Sequence, residues 1–160
     1  NCLHDILYLH LGNRLTNNTQ DSLLSISSII NNYEMSSIIK AEDVLKSINI
    51  LFDYLKTTFS PKQWLRELAL ACEIDGQLYK GEADLVLETD EGYILIDYKS
   101  YPGSIEKVLD NSDTNTVYAG KYAGQLDAYS NMIHSTTNKK VIQHYIYYTV
   151  LGKLVAVKFN

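Results

Sequence analysis

Up to Ser60-Pro61 the apolar residues of this chain recur every three to four positions; from Trp64 onward they recur every two. A helical period followed by a strand period narrows the fold to mixed α and β. The helical part carries three stripes. Leu3, Ile6, Leu7, Leu9 and Leu11 run up to Gly12. Leu23, Leu24, Ile26, Ile29 and Ile30 follow Asp21, which is placed to cap a helix. Val44, Leu45, Ile48, Leu51, Phe52 and Leu55 make the longest stripe, over 41–58, and Ser60-Pro61 ends it. In the second part, 66–75 reads as a strand that stops at the hairpin signal Asp75-Gly76. Residues 78–89 and 93–99 read as two more, joined by Asp90-Glu91-Gly92. The polar stretch 101–116 is expected to be mobile. A stripe of Tyr118, Tyr122, Leu126, Tyr129 and Ile133 predicts a helix over 118–134, and 141–150 and 153–159 predict two closing strands around Gly152.

At 160 residues the chain is one domain's worth, with 1–60 as a helical segment and 64–160 as the core. It begins at Asn1 with the helical pattern already running, as expected of a piece of a longer protein. Two cysteines exclude a disulfide framework and a four-cysteine metal site, and they fit a reducing compartment. No apolar run approaches the ~18 residues of a membrane span, and no basic-then-apolar leader opens the chain. A cytoplasmic, membrane-free protein is the expectation. A net charge of −5 excludes a basic nucleic-acid coat, so any nucleic-acid role must come from a local site.

The chemistry concentrates between Trp64 and Lys99. Strict alternation puts Asp84, Val86 and Glu88 on one face of the second strand, with Ala83, Leu85 and Leu87 on the other. In the third strand Leu95, Asp97 and Lys99 share a face. Asp97 follows Tyr-Ile-Leu-Ile, a run that should be buried, and a buried carboxylate is costly unless it is paired or holds a metal. Asp84 precedes the turn by about as many residues as Asp97 follows it, so a simple antiparallel register sets the two side by side. Adjacent carboxylates repel; a divalent cation with hard oxygen ligands, Mg²⁺ above all, resolves the conflict. Lys99, roughly 6–7 Å further along the strand, reaches a phosphate or a water beside the ion. A bare Asp-x-Lys is most often an exposed ion pair at a strand end. The second in-strand Asp and the nearby Glu67 favour the chemical reading.

Trp64-x-x-Glu67, Gly81-x-x-Asp84, Asp97-Tyr98-Lys99-Ser100 and Gln125-x-x-x-Tyr129, with His4-x-x-Leu7 ahead of them, resemble the PD-(D/E)xK nuclease superfamily. The closer resemblance is to the RecB/AddA-type nuclease domain at the C-terminus of UvrD-like helicase–nucleases. Each motif alone is common; five in this order are specific. The resemblance implies a restriction-endonuclease-like core, a central mixed β-sheet flanked by helices, with the N-terminal helices packed over it and delivering His4. It implies that His4, Asp84, Asp97 and the backbone carbonyl of Tyr98 hold Mg²⁺, with Mn²⁺ as a substitute. Lys99 would position or activate the attacking water, and Glu67 would be a supporting acid. Gln125 and Tyr129 would contact the substrate backbone or brace the site. Glu82 stands where many relatives carry a cation. The function so implied is a metal-dependent deoxyribonuclease, acting on DNA, single-stranded by expectation, beside UvrD-like helicase domains in repair or recombination. The alternative is a catalytically inactive DNA-binding or scaffolding module of the same fold.

Other residues read more plainly. His10, His134 and His144 are isolated and suit packing or surface roles. Trp64 is a core anchor before it is a stacking platform, and Tyr145, Tyr147 and Tyr148 belong to a tyrosine-rich strand. Glu88, Asp90 and Glu91 make a solvated turn. Lys80, Lys107 and Lys121 are the further cations near the site.

Overall fold

The computed structural model describes residues 1–11, 19–101, 103, 106 and 122–158. It divides into two compact units, Asn1–Pro61 and Lys62–Asn160. Most of the expected mobile stretch, together with Gly12, Lys107, Tyr118 and Lys121, lies outside the described residues.

The first unit holds α1 (Cys2–His10), α2 (Thr19–Asn32) and α3 (Ala41–Phe59). The Asn1 side chain caps α1 by accepting from the Leu3 N–H at 3.2 Å. This helix ends at His10, before the expected Gly12, and the Leu11 N–H closes the last turn on the Leu7 carbonyl. α2 starts at Thr19, which leaves Asp21 in its first turn, where a negative charge favours the positive end of the helix dipole. Ser22, Ile26 and Ile30 form its buried line. In α3, Ala41, Leu45, Ile48, Leu51 and Leu55 are buried at helical spacing. Ser60 then turns left-handed (φ 45°) and Pro61 cannot continue the helix.

The second unit is a five-stranded sheet in the order β1 (Gln63–Ile74), β2 (Gln77–Glu88), β3 (Tyr93–Lys99), β4 (Val141–Tyr148), β5 (Lys153–Ala156). All pairs are antiparallel except β3–β4, which is parallel. Parallel neighbours need a crossover, and α4 (Ala123–Thr137) lies on it. The expected mixed α/β sheet is therefore present. Asp75 (φ 52°) and Gly76 (φ 77°) are both left-handed, the backbone that a tight two-residue hairpin requires. At the next turn the Thr89 hydroxyl donates to the Gly92 carbonyl at 2.7 Å and accepts from the Gly92 N–H at 3.2 Å.

Strand β3 is the centre of the sheet. Ile94, Leu95 and Ile96 are fully buried, as expected of a strand with neighbours on both edges and covered faces. Leu126, Met132 and Ile133 of α4 pack with Val86, Leu95, Ile146 and Tyr148 in one core cluster. That cluster also contains Ala83, only three positions from Val86. Strict alternation would put those two on opposite faces, so the expected face pattern of β2 is corrected: it is interrupted at Asp84. The same interruption occurs opposite, in β1, where Leu65 and Leu68 both pack against the cluster. Among the described residues no helix is long and apolar enough to cross a membrane.

Candidate active site

Two interruptions in facing strands meet at one point. β1 and β2 pair as Arg66↔Leu85 and Leu68↔Ala83, which leaves Glu67 opposite Asp84 as the position where the ladder is not made. Glu67 is exposed and has φ 47°, a costly backbone for a residue with a side chain. The β2–β3 ladder runs from Glu88↔Tyr93 to Leu85↔Ile96 and stops there; one more step places Asp84 opposite Asp97. Instead of continuing the ladder, Asp84 uses its side chain. Its Oδ2 accepts from the Tyr98 N–H at 2.7 Å. A buried backbone donor is thus satisfied by a carboxyl, and that carboxyl is aimed across the strand at its neighbour.

The two carboxyl groups stand close enough on the paired strands for each to raise the cost of charging the other. Burial pushes the Asp84 carboxyl up to about 7; the Tyr98 N–H pulls it down, the Asp97 carboxyl raises it further and Lys99 lowers it. Asp97 itself is buried, with 4% exposure. Its Oδ2 lies 2.9 Å from Lys99 Nζ, a charge contact rather than an aligned hydrogen bond. Tyr98, between them in sequence, sends its ring to the other face. There it is buried edge-on to Tyr147, and burial holds its phenol well above the usual range.

Beyond the carboxylates the site reaches α4. Lys99 Nζ donates to Gln125 Oε1 at 3.3 Å, and Gln125 Nε2 donates to the Tyr129 hydroxyl at 3.1 Å. The two helix residues are one turn apart on one face. The Tyr129 ring rests on Gly81: a Cβ there would stand 2.5 Å from Tyr129 Cε1. Gly81 is therefore the seat of Tyr129, which links the first motif of β2 to the motif of α4. The Lys99 ammonium also lies over the ring of Tyr122, 4.3 Å from its centroid.

The sheet unit therefore brings together Asp84, Asp97, Tyr98, Lys99, Gln125 and Tyr129, with Glu67 opposite Asp84 in register. His4 lies half-buried on α1, in the other unit. Tyr122 was legible only as part of an apolar stripe. His144 pairs with Ser130 at 2.6 Å, and burial holds its imidazole below the ordinary value. Glu88 pairs with Lys139 at 3.5 Å, and Asp90 pairs with Lys62. These are the ordinary roles expected of them.

The donor set suits a small divalent cation. Mg²⁺ is typically held by one or two carboxylates and keeps several waters; here two carboxyls lie at one level of neighbouring strands, and burial holds that of Asp84 up to about 7. Among the described residues, no group of three or more His, Cys, Asp or Glu side chains is gathered to hold a metal. The remaining positions would fall to a backbone carbonyl and water.

No protein-family model matches the chain. Three curated relatives do, each the large A-type component of an ATP-dependent helicase/nuclease. That of Levilactobacillus brevis is 32% identical over 93 residues, 53% of this chain and 7% of the relative. That of Ligilactobacillus salivarius is 35% identical over 81 residues, 50% of this chain and 6% of the relative. That of Pediococcus pentosaceus is 29% identical over 87 residues, 52% and 7%. The match thus spans a small fraction of these long relatives. A solved structure from Eubacterium rectale covers 87% of this chain and 54% of its own, at 13% identity and a TM-score of 0.49. Motifs and sequence similarity agree: over about half its length the chain is similar to AddA-type helicase/nucleases, and its resemblance to the RecB/AddA-type nuclease domain is borne out.

Proposed function

We propose that this domain hydrolyses DNA phosphodiester bonds with the help of Mg²⁺ or Mn²⁺. The observation that carries the reading is the placement of Asp84 and Asp97 at one level of neighbouring strands, with Asp84 on the Tyr98 N–H at 2.7 Å and the Lys99 ammonium 2.9 Å from Asp97. Asp84, Asp97 and the Tyr98 carbonyl would hold the ion. When bound, the ion supplies a more acidic water and neutralises charge on the scissile phosphate.

The chain's own groups do the rest. Asp84, whose carboxyl burial holds up to about 7, would give up its proton to solvent as the site loads. Lys99 keeps a positive charge at the edge of the pair, where negative charge grows on the phosphate oxygens. Glu67, exposed and opposite Asp84 in register, would accept a hydrogen bond from the incoming water. The substrate is single-stranded DNA, delivered by UvrD-like helicase domains in the same polypeptide or complex, and the setting is DNA repair or recombination in the cytoplasm. With a net charge of −5, the domain alone binds phosphate weakly until the ion arrives.

Calorimetric titration with Mn²⁺ tests the assignment. The wild-type protein should bind the ion and D97A should lose most of that binding. Equal binding by both would remove Asp97 from the metal site.

A further inference from the structure

A lysine ammonium is a compact charge on a flexible stem, and fixing it in one place costs side-chain entropy. A lysine that must act at one point therefore needs contacts that hold it without cancelling its charge. Three groups surround the Lys99 ammonium. Asp97 Oδ2 lies at 2.9 Å, Gln125 Oε1 at 3.3 Å and the Tyr122 ring centroid at 4.3 Å. The last two come from the segment that opens α4. Gln125 is itself fixed, since its amide donates to Tyr129, whose ring is seated on Gly81. A chain of contacts thus runs from Gly81 on β2 through Tyr129 and Gln125 to the amine. Tyr122 supports the amine from a separate direction, and no motif of the sequence includes it.

Building on the reading of Lys99 as the catalytic cation, we propose that Tyr122 is its positioning residue. The ring face holds the ammonium where Gln125 can orient it toward the carboxyl pair. The attraction is electrostatic, between a cation and the negative face of an aromatic ring, and it leaves the charge intact. It needs the ring and not the phenol hydroxyl. This separates the proposal from two others: a packing role, for which any apolar side chain of similar size serves, and a direct substrate contact, which would appear in KM.

The test uses Y122F and Y122L, with Y122M in place of Y122L if that variant does not fold. The first readout is kinetic. Y122L should lose about tenfold in kcat with KM nearly unchanged, the size of a partly desolvated cation–π contact. Y122F should recover most of that loss. Y129F, which removes the hydroxyl that orients Gln125 but keeps the ring on Gly81, should shift kcat in the same direction as Y122L. The second readout needs no activity. With ¹³C-labelled lysine, the ε-methylene protons of Lys99, identified by their absence in K99R, should be shifted upfield by the ring they lie over. Y122F should keep that shift and Y122L lose it. An unchanged shift in Y122L overturns the proposal, as does a change confined to KM, or a Y122F as slow as Y122L. Should the wild-type protein cleave no DNA while the shift behaves as stated, the support of Lys99 by Tyr122 stands and the nuclease reading falls.

Discussion

Asp84→Asn should make the metal-free protein more stable near neutral pH while removing its capacity to hold a divalent ion. Burial raises the Asp84 carboxyl to about 7, well above its ordinary 3.8. The folded state therefore keeps a proton that the unfolded chain gives up. The stability tied to that proton is fully present below about pH 4 and is lost as pH rises toward 7. At about 1.4 kcal/mol per unit, the rise corresponds to about 4 kcal/mol at most, and partial solvent access brings the expected loss to roughly 2 kcal/mol. Asn is neutral throughout, and its carbonyl oxygen still accepts from the Tyr98 N–H that Asp84 serves at 2.7 Å. Urea unfolding in a chelator reads the effect, with Trp64, the single tryptophan of the chain, as the probe on β1. Wild type should weaken by about 2 kcal/mol between about pH 4.5 and about pH 8, and D84N should stay flat and exceed it at the upper end. Saturating Mg²⁺ should restore the wild type, by about 2.7 kcal/mol at a hundredfold excess over Kd, and leave D84N unmoved. A flat wild-type profile, or a D84N no more stable at the upper pH, would refute the account of a strained carboxyl pair.

Three further outcomes follow from the same geometry. Mg²⁺ affinity, measured by calorimetry, should fall as pH drops below about 7, because loading must displace the Asp84 proton; pH-independent binding would put the ion elsewhere. Glu67→Gly should be neutral or stabilising by about 1 kcal/mol in urea unfolding, since glycine tolerates the φ of 47° without strain. Slower cleavage in E67G and in E67Q alike would show that the carboxylate is used. Gly81→Ala should cost about 1–3 kcal/mol, because its Cβ would meet Tyr129 at 2.5 Å; in a Y129A background the same change should cost little, and equal costs in both would mean that the contact is not the cause.

How much of this was legible in the residues differs from place to place. Asp75-Gly76 announced its hairpin because both positions need left-handed backbone, which that pair tolerates well. The apolar run before Asp97 announced a buried strand. Counting from the turn brought Asp84 level with Asp97, and the observed register extends to the same pairing. The break in alternation was not legible. Polarity alone assigns Asp84 to a face, whereas its carboxyl serves a backbone N–H on β3, a partner fixed only once the sheet has formed. The left-handed Glu67 belongs to the same joint, and no glycine stands there to betray it. Tyr122 read as one member of an apolar stripe, since helical spacing cannot tell a ring in a core from a ring beneath a cation. The seat that Gly81 provides for Tyr129 joins residues far apart in the chain, and a glycine in a strand signals close approach without naming what approaches.

Whether Asp84, Asp97 and Lys99 form a hydrolytic site is decided by single-turnover digestion of end-labelled single-stranded DNA in Mg²⁺ by wild type and K99A. Mn²⁺ binding is followed in parallel. The wild type should cleave, and K99A should do so at a rate about 10²–10³ lower with the ion still bound. Digestion by K99A at the wild-type rate, or none by the wild type at saturating Mg²⁺, would contradict the assignment.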